Sequence, residues 1–298
     1  MTDPALGDQI AAFIVQAGLD EAFADQAARL HAPLAARIGD AAAGRDRPLV
    51  VGLCGPQGCG KSTLTALVTR LLRRRGLTTA NLSLDDLYLT HAERSALGQT
   101  VHPLLRTRGV PGTHDVALGL RVFDGLAGPG PTLIPRFDKA ADDRAPVADW
   151  ERFEGPAQVI LLEGWCVGAR AQPPAALAGP VNALERDEDP LGLWRGFANT
   201  ALATTYRSLF DRIDLLAVLT APDFATVRVW RGQQERRLRQ DLADQGRDPA
   251  LAMDEAALDR FVAHYQRLTE WIATELPPRA AITVRLDADR WPGEIRGL

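Results

Sequence analysis

The sequence predicts an α/β protein in which a parallel sheet is covered by helices on both faces. Three observations carry that expectation. Short apolar runs that read as buried strands alternate with longer stretches of three-to-four hydrophobic spacing. One such run, "PLVVGLCG" (48–55), leads straight through a glycine-rich loop into an amphipathic stretch. No Ser/Gly-rich or Pro-rich linker divides the 298 residues, so one decorated domain is expected.

The elements follow in order. Residues 1–44 read as helical, with Ile10, Phe13, Ile14, Leu19, Phe23, Leu30, Leu34 and Ile38 at helical spacing. They form an expected N-terminal extension (1–47) that packs as a cap on the core. Pro33 is expected to interrupt or restart a helix there. Residues 48–55 are a buried strand, and 62–76 are an amphipathic helix closed by Gly76. Residues 78–84 read as the second strand, 85–114 as loop, and 115–125 as a helix before the turn "GPGP" (128–131). "TLIPRFD" (132–138) follows, and "AQVILLEG" (157–164) is another buried strand. A long helix (191–213), a strand (214–222), two helices (224–242 and 254–276) and a last strand (280–288) complete the pattern.

Composition removes several function classes. The net charge is −4, without the basic surplus that phosphate neutralisation asks of a nucleic-acid binder. No run of about 18 apolar residues suggests a membrane span. The N-terminus is acidic where a signal peptide would be basic. Cys54, Cys59 and Cys166 are too few and too irregular for a disulfide framework or a metal knuckle. A cytoplasmic protein is expected. Of 34 basic residues only Lys61 and Lys139 are lysine. Arginine stands everywhere else, yet a lysine is kept in the glycine-rich loop, where a compact ammonium fits and a planar guanidinium does not.

That loop is "GPQGCGKST" (55–63), and Gly55, Gly60, Lys61 and Ser62 satisfy G-x-x-x-x-G-K-[ST] between a strand and a helix. Its glycines let backbone N–H groups turn toward phosphates, and the helix N-terminus adds positive charge. The expected nucleotide set is Gly55, Gln57, Gly58, Cys59, Gly60, Lys61, Ser62 and Thr63. Lys61 would reach the β- and γ-phosphates of ATP, and Ser62 would ligate Mg²⁺. Cys59 reads as a small residue that fits the loop, with a redox-active thiol as the alternative. Glu163, at the end of "VILLEG", is the expected acidic partner of Mg²⁺. It is a lone Glu before Gly, without the second acid that hydrolytic ATPases use on water. This favours transfer to a bound acceptor.

The acceptor side is expected after the second strand. Asp85 and Asp86 in "SLDDLYLT" (83–90) emerge at the carboxyl edge of the sheet, where open α/β folds bind ligands. One of them could take the proton of an acceptor hydroxyl, and only one is expected to face the phosphate. "RTRGVPGTHD" (106–115) brings Arg108, His114 and Asp115, the last also a candidate helix cap. "PRFDKAADDR" (135–144) brings Arg136, Phe137, Asp138, Lys139 and Arg144 in a hairpin-like segment. Arg108, Lys139 and Arg144 suit an anionic acceptor such as a carboxylate. Tyr88, Phe137 and Trp165 are the available aromatics, Trp165 as a wall. Trp194, Leu202, Tyr206 and Phe210 lie at near-helical spacing and read as core.

Taken in order, "GPQGCGKST", "SLDDLYLT", "RGVPGTHD", "PRFDKAADDR", "LLEGWCVG" and "VWRGQQERRL" resemble the D-glycerate 3-kinase family of plant and fungal type. It sits in the wider group of phosphoribulokinase, uridine kinase and pantothenate kinase. The resemblance runs from about residue 48 to 287. It implies a P-loop NTPase fold and Mg-ATP-dependent phosphorylation of D-glycerate to 3-phosphoglycerate. It implies Asp85 as catalytic base with Asp86 as substitute, and Glu163 assisting Mg²⁺. Phe137, Asp138 and Arg144 would hold the acceptor. The helix over about 224–242 resembles a lid, with Arg231 reaching the transferred phosphate and Gln234 and Glu235 shaping closure. Residues of about 85–150 would be acceptor-binding insertions in a kinase domain of 48–298. The chain departs from the family at Leu87, where Phe is common. It departs again at Lys139-Ala140 and Asp143-Arg144, where Lys-Ser and Gly-Asp-Arg are common. The alternatives are a kinase for another hydroxy acid, a nucleoside or pantothenate, and an ATP-binding regulatory protein without catalysis. A stand-alone ATPase or GTPase would turn over without an acceptor.

Overall fold

The computed structural model describes residues 4–249 and 252–298. The first three residues of the expected N-terminal helical region lie outside it. The strands are β1 (Leu49–Cys54), β2 (Thr79–Ser83), β3 (Pro131–Ile134), β4 (Phe137–Asp138), β5 (Asp143–Arg144), β6 (Glu151–Glu154), β7 (Val159–Gly164), β8 (Leu215–Thr220), β9 (Ile282–Leu286) and β10 (Pro292–Arg296). The α-helices are α1 (Pro4–Ala17), α2 (Phe23–Gln26), α3 (Ala32–Ala42), α4 (Lys61–Arg74), α5 (His91–Thr100), α6 (Val116–Ala127), α7 (Ala183–Glu188), α8 (Leu193–Ala203), α9 (Thr205–Phe210), α10 (Phe224–Asp244) and α11 (Glu255–Glu275).

The main sheet has the order β2-β7-β1-β8-β9-β10, parallel except for the last edge strand. β1 and β7 are buried along nearly their whole length, as their unbroken Val/Leu/Ile runs require of strands covered on two faces. One face carries the N-terminal helices and α4, with Ile10, Leu34, Ile38, Leu67 and Leu72 packed on Val51 and Leu161. The other carries α6, α9 and α11, with Val122, Phe123, Leu209 and Leu268 packed on Val50 and Ile160. Strand β7 is inserted between β1 and β2, so the chain reverses direction across the sheet at the end of β1, the place where such folds open a ligand crevice.

Pro33 falls, as expected, where a helix restarts: a π turn over Ala27–His31 ends the preceding segment, and Pro33 sits in the first turn of α3, where its missing N–H costs no helical hydrogen bond. Four local readings are corrected. The expected loop 85–114 contains α5, opened by a capping box between Thr90 and Glu93. The expected helix 191–213 breaks at Thr204, where the hydroxyls of Thr204 and Thr205 bond back to the Thr200 and Ala201 carbonyls. "TLIPRFD" splits into β3, which pairs with β6, and β4, which pairs with β5. The antiparallel strand β10 follows the strand expected to be last. Trp194, Leu202, Tyr206 and Phe210 are buried as expected. Among the described residues, no helix is long and apolar enough to cross a membrane.

Candidate active site

Three sheet strands deliver the central groups to one edge. Glu163, near the end of β7, pairs in register with Leu53 on β1 and Ser83 on β2. Strand β1 runs on into the glycine-rich loop, where the backbone N–H of Gly55 bonds the carbonyl of Gly164. Strand β2 runs on into Asp85, whose N–H bonds the Ser83 hydroxyl at 3.3 Å. Lys61, Asp85 and Glu163 therefore converge, and each perturbs the others. Burial works against the Lys61 ammonium, but Cys59, Glu163 and Asp85 outweigh it and hold its pKa above the ordinary value. Burial lifts the Glu163 carboxyl, and Lys61 pulls it back only in part. Burial also acts upward on Asp85, but Lys139 by charge and hydrogen bond, and then Lys61, leave that carboxyl below the usual range.

Contacts within the chain hold the loop in shape. Gly60 lies at φ 91° at the mouth of α4, a left-handed conformation that favours glycine. Lys61 Nζ donates to the Pro56 carbonyl at 3.0 Å. Gly58 lies so close to α10 that a Cβ there would meet Trp230 at 2.7 Å. Arg290 stacks over Trp230 and donates to the Gly58 carbonyl at 2.6 Å. Ser62 and Gly60 are exposed, and Thr63 is half-buried at the start of α4. Cys59 is buried, and burial raises its thiol pKa; this is the packed small residue, not a thiol poised for redox chemistry. Mg²⁺ characteristically takes one or two protein oxygens and completes its shell with phosphate oxygens and water. The Ser62 hydroxyl and the Glu163 carboxylate, on adjacent elements at one sheet edge, fit that donor set.

The acceptor-side residues gather beside Asp85, but most are already engaged. Asp85 accepts from Lys139 Nζ at 2.7 Å and from the Tyr88 hydroxyl at 3.1 Å. Asp86 points elsewhere: its two oxygens accept from the Phe137 N–H and from Arg136, each at 3.0 Å, anchoring the β4–β5 hairpin. Tyr88 is buried, stacked on His114 at 4.4 Å and edge-on to Phe137 at 5.2 Å. Arg108 lies over Phe137 and is ion-paired with Asp142. Asp115 caps α6 through the Leu118 N–H at 2.8 Å and accepts from Arg144 at 3.4 Å. Arg144 also holds the Tyr88 carbonyl, while its buried Nε has no partner. Trp165 is a wall, edge-on to Tyr265, with its indole N–H on the Gly109 carbonyl.

His114 is buried, and desolvation lowers its pKa to about 3, so its ring is neutral. Its Nδ1 lies 2.5 Å from the Tyr206 hydroxyl. Arg231 does not extend freely from α10; it pairs with Glu235 and stacks 5.3 Å over Phe261 of α11. Glu235 in turn accepts from the Met253 N–H at 3.0 Å.

Three contributors escaped the sequence reading. Arg94 on α5 is fully buried and bonds the carbonyls of Leu89 and Arg106 as well as the Asp142 carboxylate. Asp142 sits at φ 52° in the hairpin turn and joins Arg94, Arg108 and His91. Tyr265 on α11 donates to the Arg108 carbonyl at 3.0 Å and fills the space a Cβ on Gly109 would take. The Thr90-x-x-Glu93 cap was the available signal for α5, and so for Arg94. Nothing local marked Tyr265.

No family model matches the chain. Over 230 residues it is 32% identical to the uncharacterized kinase mug58 of Schizosaccharomyces pombe, covering 74% of this chain and 79% of that one. Over 263 residues it is 32% identical to the chloroplastic D-glycerate 3-kinase of Arabidopsis thaliana, covering 82% of this chain and 54% of that protein. The chain thus spans about half the length of the plant relative. Among solved structures, D-glycerate 3-kinase from Cryptococcus neoformans superposes with a TM-score of 0.72 at 26% identity, covering 90% of this chain and 99% of that one. With the strand–loop–helix of the glycine-rich loop and an acid from the neighbouring strand at the same edge, these likenesses show that the chain belongs to a family of P-loop kinases shared with the fission-yeast protein, and that it is similar to D-glycerate 3-kinases.

Proposed function

We propose that this protein transfers the γ-phosphoryl group of ATP to the hydroxyl of D-glycerate, giving 3-phosphoglycerate. The observation that carries the reading is the contact of Asp85 with Lys139 beside Lys61 and Glu163. It joins an acid at the phosphate edge to a cation on an exposed hairpin tip, in a chain with 32% identity to a D-glycerate 3-kinase.

Phosphoryl transfer asks a protein mainly to position reactants and neutralise charge. The loop N–H groups and Lys61 hold the phosphates. Ser62 and Glu163 are the residues that would hold Mg²⁺, which would supply neutralisation of the phosphate charge. Asp85 is ionised at neutral pH and accepts the proton of the attacking hydroxyl, or aligns it. Lys139, hydrogen-bonded to Asp85 on an exposed hairpin tip, is placed to meet the carboxylate of the acceptor. Arg144, with an unpartnered Nε, and Arg108 supply further positive charge on that side. Asp86 serves by anchoring the hairpin, Tyr88, Phe137, His114 and Trp165 shape the walls, and Asp115 fixes Arg144. Arg231 reaches the transferred phosphoryl group when α10 closes as a lid, which requires release from Glu235.

The test is acceptor-dependent ADP release with Mg-ATP across D-glycerate, L-glycerate, other small hydroxy acids, uridine and pantothenate. The expected result is turnover with D-glycerate far above the others, and a phosphorylated product. Preference for another acceptor would replace the substrate and leave the kinase reading standing. ATP binding without turnover on any acceptor would indicate a regulatory protein.

A further inference from the structure

The turn of the β4–β5 hairpin carries a carboxylate that the reaction above does not use. Asp142 lies at φ 52°, in the left-handed region that side chains other than glycine rarely adopt. Its Oδ1 accepts from Arg108, and its Oδ2 accepts from Arg94 at 3.0 Å. Docking of the turn does not depend on the first of these contacts. Arg94 also donates to the Asp142 carbonyl at 2.5 Å, and Asp143 accepts the backbone N–H of His91 at 3.0 Å. Helix α5 thus fastens the turn by itself, and the pair between Asp142 and Arg108 is additional to that fastening.

We propose that Asp142 sets the affinity and selectivity of the kinase for its acceptor: its carboxylate occupies the Arg108 guanidinium as an internal counterpart of the acceptor's own carboxylate, and an acceptor has to compete with it. The inference rests on the reading of a small hydroxy acid as acceptor, and deepens it.

Three observations support it. Arg108 belongs to the reacting side. It lies 5.6 Å over Phe137, Phe137 is edge-on to Tyr88 at 5.2 Å, and the Tyr88 hydroxyl bonds Asp85 at 3.1 Å. A hydroxy acid with its hydroxyl on Asp85 has its carboxylate in this neighbourhood, and a guanidinium is the side chain that pairs best with one. Second, Arg108 is within reach of a ligand and Arg94 is not. The Arg108 side chain is 21% exposed, whereas Arg94 is fully buried and spent on the Leu89, Arg106 and Asp142 carbonyls. Third, Asp142 is itself 35% exposed, so the oxygen released from Arg108 meets water while Arg94 keeps the other.

The pair acts as a filter. Binding to a seat that is already filled is weakened by the fraction of molecules in which the seat is free. A bare anion gains only Arg108 and does not offset the exchange. A hydroxy acid that also engages Asp85 does.

The experiment uses the full chain with saturating Mg-ATP and reads kcat/KM for D-glycerate and the inhibition constant of acetate, an anion with no hydroxyl to phosphorylate. Asp142→Asn keeps the shape and tolerates the left-handed backbone, and Asp142→Gly adopts that backbone without strain. Both keep the carbonyl that Arg94 holds. Each is compared with Arg108→Gln and with the double variant Arg108→Gln/Asp142→Asn. The expected result is a kcat/KM for D-glycerate raised about fivefold or more in both Asp142 variants, with acetate inhibition strengthened by a similar factor. In the Arg108→Gln background, adding Asp142→Asn is expected to change kcat/KM by less than about twofold, because the competition runs through Arg108. A kcat/KM unchanged or lowered in the Asp142 variants would overturn the inference, since the carboxylate would then only support the hairpin. Unchanged acetate inhibition would overturn it as well, and so would the same gain in the absence of Arg108. Wild-type turnover with neutral acceptors alone would instead remove the substrate reading, and the inference with it.

Discussion

Asp85 and Asp86 are adjacent in sequence, yet the structure separates their work by what each oxygen touches. Asp85 faces the Lys61 edge with an exposed cation on it, whereas both oxygens of Asp86 are spent on the hairpin. Asp85→Asn is therefore expected to lower kcat by roughly 10²–10⁴, the usual range for loss of a general base. Asp86→Asn loses the Arg136 ion pair and is expected to raise acceptor KM far more than it lowers kcat. A matched pair of steady-state titrations separates the two, and equal kcat losses would contradict the division. Lys139 makes a further prediction. Its charge and hydrogen bond depress the Asp85 pKa, so Lys139→Ala must raise it. The ionised form then appears only at higher pH, and the acid limb of the kcat/KM profile for a neutral acceptor analogue moves upward. An acid limb that stays in place would show that Asp85 does not govern it.

Helix α5 organises the acceptor side from below. Arg94 places a guanidinium with no solvent exposure against two carbonyls and the Asp142 carboxylate, fastening the loop after α5 to the β4–β5 hairpin. Arg94→Met keeps the volume but leaves those acceptors unpaired. The expected cost is about 2–4 kcal/mol in urea denaturation, with acceptor KM raised and ADP affinity kept. A loss below about 1 kcal/mol would mean that water replaces the guanidinium. The same helix shows what could be read in advance. The strands β1 and β7 and the helix α4 were legible because burial on two faces and a capped amphipathic period leave a local imprint. Helix α5, "HAERSALGQT", has no sustained apolar stripe, and only its Thr90–Glu93 box announced it. Among site residues, Lys61, Asp85 and Glu163 were legible from motif and strand end. Tyr265 and Asp142 were not, because their roles come from contacts across 157 and 48 positions of chain.

The molecule as a whole holds neutral histidines under both layers of helices. His31 packs in the N-terminal layer and His114 beneath the acceptor loop; burial lowers them to about 4 and about 3, and His264 on α11 shifts the same way. In the unfolded chain each titrates near its ordinary value of about 6.5. The folded state thus binds fewer protons than the unfolded state between those limits. The stability this represents is fully present above about pH 6.5 and drains as pH falls toward the folded values, by about 2 kcal/mol for His31 at pH 5. Carboxyls such as Glu163 and Asp86, raised by burial, act in the opposite sense, so the bare pH profile mixes several groups. A difference measurement isolates one. His31→Gln keeps a polar side chain that does not titrate. The stability gap between wild type and this variant, measured by urea denaturation without nucleotide, is expected to shift by about 2 kcal/mol in the variant's favour from pH 7 to pH 5. A gap independent of pH would mean that His31 is solvated in the native protein, against the burial of its ring in the N-terminal layer.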